Sequence, residues 1–279
     1  MIIDGHAHSC GIFYRAEHII KILDELRVDK VALCTNFENN DKNQSQSLPY
    51  LAKWFPNSDV MLPMNRVIKL VNKMARAKSS LISGNEYVFK LASQHPDRII
   101  QFYWVDPNEP NALREMKAKF FEWRFKGIKF HQPSAQFRFE NQALHEIAYF
   151  AAEQRLSVFM HLYSQKDVER FILFAQNHLA TTFIIAHLIG LELFERKKIK
   201  LPNLYFDVSP TPLISDQRIL KAIRLFGAEK VMLGSDTPFG KDNLKKNIER
   251  VKRLPISQEQ QKLILGENFQ SLLNRQPEE

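Results

Sequence analysis

Eight short runs of the chain are apolar almost throughout, and stretches of helical periodicity separate them. They begin with "MIID" and continue with "DKVALCT" (29–35), "RIIQFYWV" (98–105), "GIKFHQ" (127–132), "LSVFMHL" (156–162), "TTFIIAHL" (181–188), "NLYFDVS" (203–209) and "EKVMLGSD" (229–236). A strand with one wet face alternates apolar and polar residues. A continuous apolar run belongs to a parallel strand covered on both faces. Helical periodicity marks 16–26, 85–94, 109–124, 140–154, 166–177, a short piece from 190, and 216–226, with 241–253 and 257–273 closing the chain. Eight such strands alternating with helices predict an α/β architecture, the (β/α)8 TIM barrel, which typically takes about 250 residues. At 279 residues the chain fits one such domain, 1–279. A doubly wound open sheet is the competing architecture. It relies on Gly-rich phosphate turns, and neither G-x-G-x-x-G nor a Walker sequence occurs.

Residues 36–79 exceed the simple alternation and form an insertion after the second strand. Its first part, "NFENNDKNQSQSLPYLAKWFPNSD", is polar and loop-like. The stretch "MNRVIKLVNKMARA" then puts Met64, Val67, Leu70, Val71 and Met74 on one helical face. A long structureless loop in a compact domain is uncommon unless it is functional. This one leaves the C-terminal end of a strand, the side on which barrels of this kind carry their active sites. It reads as a lid, as a subunit contact that would make a homodimer, or as a helical excursion without a role of its own.

Bulk properties remove several function classes. There is no run of about 18 apolar residues, so no membrane partner is expected. The N-terminus lacks the basic, apolar and small-residue segments of a secretory signal, and a cytoplasmic protein is the expectation. The two cysteines, Cys10 and Cys34, exclude a disulfide scaffold and form no C-x-x-C motif; they read as small buried residues. Thirty-nine Lys and Arg against thirty-one Asp and Glu leave a net charge of +8. The basic residues are interspersed with acidic ones. Their densest clusters, Arg196–Lys198 with Lys200 and the 241–246 stretch, lack the aromatics that stack on bases. No nucleic-acid partner is expected. A small, anionic substrate fits the charge better, with Lys129, Arg66 and Arg138 as candidates to meet it.

The strand ends carry the chemistry. His6 and His8 close the first strand, Lys129 and His131 the fourth, His161 the fifth, His187 the sixth and Asp236 the eighth. In a parallel barrel all these ends face one mouth. Side chains alternate along a strand, so His6 and His8 share a face, as do Lys129 and His131. Imidazoles on one wall, another across the barrel and a carboxylate opposite suit a catalytic divalent metal with one position open to water. Asp4 is read on the same pleat face as His6 and His8, one step deeper. There its carboxylate would either accept a hydrogen bond from a ligand imidazole and fix its tautomer or satisfy backbone donors at the barrel floor. The remaining histidines, His18, His95, His145 and His178, lie in or beside helix-like stretches and read as structural or surface residues.

The ordered set "DGHAH", "GIKFH", "MHLYS", "AHLIG", "GSDTPFG" resembles the amidohydrolase superfamily of metal-dependent hydrolases. More narrowly, it is similar to the amidohydrolase-related branch that includes aminocarboxymuconate-semialdehyde decarboxylase. The segment "ILGENFQSLL", with Asn268, resembles that branch's closing segment. The resemblance implies His6, His8, His161 and Asp236 as ligands of one divalent metal, most often zinc. It implies His187 as the acid–base group beside the metal water, with Asp236 sharing the proton transfers. Lys129 matches the strand-four lysine that is carbamylated in two-metal members; in a one-metal site it could stay an ammonium and, with His131, bind a substrate carboxylate. The glycine-rich "HxGG" usual after the sixth-strand histidine reads "HLIGLE" here. The implied reaction is hydrolysis of a carboxylic ester, lactone or amide by a metal-activated water. The alternative is non-oxidative decarboxylation of an unsaturated or aromatic acid, and behind both stands a non-catalytic binding protein with a vestigial metal site.

Overall fold

The computed structural model describes residues 1–36, 45, 47–76 and 81–275. All eight strands form: β1 (Ile3–His8), β2 (Lys30–Cys34), β3 (Ile99–Trp104), β4 (Gly127–His131), β5 (Ser157–His161), β6 (Thr182–Ile185), β7 (Leu204–Asp207) and β8 (Val231–Met232). They are hydrogen-bonded in sequence order, and every pair is parallel. The seam from β8 to β1 closes through backbone bonds, Gly5 N to Leu233 O at 2.9 Å and His8 N to Thr237 O at 2.8 Å. The result is the expected (β/α)8 barrel.

The helices are α1 (Ala16–Leu26), α2 (Leu51–Trp54), α3 (Met61–Arg76), α4 (Leu81–Gln94), α5 (Ala112–Trp123), α6 (Gln132–Ala135), α7 (Gln142–Glu153), α8 (Gln165–Asn177), α9 (Leu191–Lys197), α10 (Asp216–Phe226), α11 (Asn243–Arg253), α12 (Gln258–Lys262) and α13 (Asn268–Leu273). Local chemistry sets their ends. The hydroxyls of Ser164 and Ser215 accept the N–H groups of Asp167 and Arg218 at the starts of α8 and α10, satisfying donors that a helix start leaves orphaned. Ser257 and Gln260 form a reciprocal capping box at α12.

Two apolar layers result. One lies between the barrel and its helices. The other fills the barrel, where Ile3, Ile100, Phe102, Phe159 and Tyr205 meet Phe269 of α13. The barrel is therefore a packed core below its mouth. Strand β1 breaks its own alternation. Asp4 pairs with Val31 but Ala7 pairs with Leu33, so one extra residue enters β1 between them. Such a bulge reverses the facing of every residue after it. Ile3 belongs to the interior layer and Ala7 to the outer one. His6 and His8 are thereby turned into the barrel mouth while Asp4 stays on the opposite face. The expectation that Asp4 shares their face fails for this reason.

The insertion holds α2 and α3, and it is fastened over the ends of three strands. The Asp59 carboxylate accepts the N–H groups of Met61 at 3.1 Å and Leu62 at 3.3 Å at the start of α3, and that of Gly190 at 2.8 Å in the loop after β6. Ala52 N donates to Pro212 O, after β7, at 2.9 Å. The helical stripe expected here is turned the other way. Val67 and Leu70 are 54% and 62% exposed, while Met61 and Asn65 are buried. The side chains of Val71 and Met74, and residues 37–44, 46 and 77–80, lie outside the described part. Periodicity gave a helix correctly, but tertiary placement chose a face containing an asparagine.

Candidate functional site

The barrel mouth collects His6, His8, Lys129, His131, His161, His187, Asp207 and Asp236, each less than one-tenth exposed. Their ring nitrogens are set by specific partners. His6 Nδ1 lies 3.2 Å from Asp207 Oδ2 and 3.2 Å from Ser209 Oγ. A ring N–H donated to that carboxylate leaves Nε2 with its lone pair facing the Lys129 amine at 3.0 Å and Asp236 Oδ1 at 3.5 Å. His8 Nδ1 is 2.9 Å from the carbonyl of Thr35, which can only accept, so Nε2 again faces inward, 3.3 Å from Asp236 Oδ1. The Asp236 carboxylate thus lies against both imidazoles of the H-x-H pair. His187 Nδ1 lies 2.8 Å from the Ser209 carbonyl, which leaves its Nε2 as a base.

Backbone geometry marks two of these residues. His187 has φ 60° and Asp236 has φ 58°, both left-handed, as is Leu188 at 50°. Non-glycine residues there cost roughly 1–3 kcal/mol and cluster at sites where geometry matters more than stability. The "HLIGLE" segment accordingly makes a tight turn that carries His187 off the end of β6. Close packing behind the site also depends on Gly234, since a Cβ there would lie 2.0 Å from Asp207 Oδ1 and 3.0 Å from the His6 Cβ.

The His161 and His131 rings meet at a tilt of 59° with 4.4 Å between centroids, and His161 meets His187 edge-on at 4.7 Å. His131 is held through Nδ1 by Ser134 Oγ at 2.7 Å and packs on Trp104. Phe159 lies under both His6 and the Lys129 amine, and Phe239 packs edge-on to His8. These rings restrict water on several sides of the polar centre.

Burial dominates the electrostatics. It holds His6 well below the ordinary imidazole value, helped by the Lys129 charge, and does the same to His161, helped by His131. His131 is depressed by burial and then by Lys129. Burial also pulls the Lys129 ammonium down and pushes the Asp207 carboxyl up. At His8 burial opposes the charge, but the Cys34 sulfur and the Asp236 carboxylate prevail and lift it to about 10. A cation binding at His8 must therefore displace a proton.

This donor set fits a divalent metal. His6 and His161 are neutral imidazoles, the His6 and His8 rings are fixed through their far nitrogens, and a carboxylate lies beside that pair. Among the described residues, two groups bring three ligand atoms within 4.8 Å of one another: His6, His8 and Cys34, and His6, His187 and Asp207. His161 and Asp236 belong to neither: Asp236 meets the His6 and His8 nitrogens pairwise, and His161 meets His131 and His187 through ring contacts.

Four participants escaped the reading of the sequence. Asp207 ends β7 as His161 ends β5, so the strand-end logic could have found it; Ser209 follows two residues later. Cys34, with its sulfur 3.3 Å from His8 Nδ1, reads in sequence as a small apolar residue. Asn65 touches His161 from α3 and leaves no sequence signal. Asp4 does not orient a ligand imidazole. Its carboxylate accepts from Ser235 N at 2.8 Å, Ser235 Oγ at 2.6 Å and the His6 backbone N–H at 3.3 Å, and burial lifts it to about 7 against those bonds. The carboxylate that meets the Nδ1 side of the His6 ring is that of Asp207.

A cavity of about 660 Å³ opens at the opposite end of the barrel, beside the starts of β2 and β3. It is lined by Lys30, Arg124 and Lys126 and, among the described residues, by no histidine or carboxylate.

A family model described as Amidohydrolase matches residues 69–274, which span β3 to β8 and leave His6 and His8 outside the match. No curated protein matches the chain in sequence. Solved structures are similar along nearly all of it. A 2,6-dihydroxybenzoate decarboxylase in complex with 2,6-dihydroxybenzoate is 14% identical, with a TM-score of 0.67 over 98% of this chain and 99% of that one. A dihydroxybenzoic acid decarboxylase from a Polaromonas species, with bound manganese and the inhibitor 2-nitroresorcinol, is 15% identical, with a TM-score of 0.67 over 98% and 96%. A 4-oxalomesaconate hydratase from Rhodopseudomonas palustris is 15% identical, with a TM-score of 0.64 over 99% and 96%. At these identities the likeness is one of fold.

Proposed function

The chain belongs to the amidohydrolase family, and from that premise we propose that it is a metal-dependent hydrolase of a small carboxylic ester, lactone or amide. The observation that carries this reading is Asp236 Oδ1 lying 3.5 Å from His6 Nε2 and 3.3 Å from His8 Nε2, a carboxylate poised where a water proton has to go. His6, His8 and Asp236 would hold one divalent metal, with His161 completing the set and zinc the expected ion. Such an ion would supply Lewis acidity and would lower the pKa of a water at the site toward about 7.

The protein's own groups do the rest. Asp236 takes up the proton released on attack. His187, its Nδ1–H donated to Ser209, offers Nε2 to carry a proton to the leaving atom. Lys129 and His131 line the wall on which a substrate carboxylate or carbonyl would rest, and Trp104, Phe159 and Phe239 limit water. The insertion serves as a lid, a role supported by its ties to the loops after β5, β6 and β7.

A second reading, non-oxidative decarboxylation of an aromatic or unsaturated acid, is favoured by the decarboxylases of like fold that hold 2,6-dihydroxybenzoate or the inhibitor 2-nitroresorcinol. The test is elemental analysis of the purified protein, then a turnover panel of lactones, esters, amides and carboxylic acids. One metal per chain with hydrolysis supports the first reading; carbon dioxide release without hydrolysis moves the assignment to the second. A folded, metal-free and fully active protein would sink both.

The Asp207 contact gives a further expectation. Asp207→Asn should weaken metal affinity by about tenfold to a hundredfold, the usual effect of losing a group that orients a ligand imidazole. Asp4→Asn should not, because its bonds go to Ser235. Equilibrium dialysis of both variants against the metal checks the contrast, and equal losses would show that Asp4 reaches the ion through Ser235.

A further inference from the structure

Asn65 is fully buried on α3, and all its bonds run to β5 or the loop after it. Its amide nitrogen donates to the carbonyls of Leu162 at 2.9 Å and Tyr163 at 2.8 Å. Both are pure acceptors, so both amide hydrogens are used and the orientation of the side chain is fixed. Its Oδ1 then faces His161 Nε2 at 2.8 Å. An amide oxygen only accepts. His161 must therefore carry its proton on Nε2. With Nε2 engaged by that oxygen, Nδ1 is the ring nitrogen left to bind an ion.

We infer that Asn65 is a positioning residue that locks His161 in the Nε2–H tautomer and makes Nδ1 the metal-binding atom. It is supplied by the insertion rather than by the barrel. His6 and His8 are held in the opposite sense, with Nδ1 donating to Asp207 and Thr35. The fifth-strand histidine therefore has the other nitrogen left for an ion. The consequence is a physical link: α3 cannot leave the barrel without releasing the Asn65 bond that selects the His161 lone pair, so opening the insertion weakens the metal site. This inference rests on the metal-site reading of the mouth given above, but its first test does not.

That test is 15N correlation NMR of the metal-free full chain, which distinguishes the two tautomers of His161. The expected spectrum has Nε2 protonated and Nδ1 bare; a protonated Nδ1 would overturn the inference whatever the metal does. In Asn65→Leu, close in volume and without polar atoms, the tautomers should mix. Zinc affinity measured by competition with a chelator should fall by about tenfold to a hundredfold. A variant that keeps its folded spectrum and full zinc affinity would overturn the positioning role. Should Asn65→Leu fail to fold, the wild-type spectrum still decides. If the wild-type chain binds no metal, the functional reading falls while the tautomer result stands or falls independently.

Discussion

Replacing His6 and His8 together by alanine should abolish metal binding and turnover while leaving the barrel folded. Both rings are buried at the mouth with Nε2 toward Asp236, so their removal deletes two of the four expected donors and leaves only Asp236 and His161, too few to hold the ion. The stability cost should be moderate. Lys129 loses the His6 nitrogen it faces at 3.0 Å, whereas Asp207 keeps the Ser209 hydroxyl at 2.5 Å and the His187 N–H at 3.3 Å. One buried polar group left without its partner costs roughly 1–3 kcal/mol, against about 5–15 kcal/mol for a typical domain. The layers below, from Ile3 and Phe159 down to Phe269, are untouched. Metal content per chain and a thermal melt check both halves. Metal retained at one equivalent would place the ion elsewhere, and collapse of the fold would show that the imidazoles support the barrel itself.

The barrel was legible because parallel strands buried on both faces need continuous apolar runs, and the residues closing those runs carried most of the mouth. What stayed hidden depends on contacts far apart in sequence. The extra residue in β1 is a matter of pairing with β2, so nothing in "IDGHAH" announces it, and strict alternation placed Asp4 on the wrong face. The eighth strand is only Val231–Met232, much shorter than its apolar run, because the chain beyond it turns to bring Gly234 against Asp207 and Asp236 against the histidines. In α3 the spacing was helical, but which side lay inward was decided by the barrel mouth. That mouth offered His161 and two carbonyls, which an asparagine satisfies and a valine cannot. Polar residues selected by a site do not follow apolar periodicity, and here the same exception marks a functional contact.

His187→Asn should lower turnover by about a hundredfold or more with the metal still bound, the size expected for a lost acid–base group. Asparagine is suited to this test. It tolerates the left-handed region better than most residues, so the 60° φ of residue 187 should survive and the turn carrying Leu188 and Gly190 should not rearrange. Its shorter amide can still donate toward the Ser209 carbonyl, which now accepts from Nδ1 at 2.8 Å. What disappears is Nε2, the nitrogen left free to exchange a proton with the reacting molecule. The loss should therefore fall on kcat rather than KM. Metal analysis separates the alternatives. A metal-replete, slow enzyme supports the acid–base role. A variant that loses metal would make His187 a ligand and point to a two-metal site bridged by carbamylated Lys129, for which burial already lowers the amine toward its nucleophilic form. Two metals per wild-type chain, with reconstitution that depends on bicarbonate, would confirm that arrangement over the single-ion one.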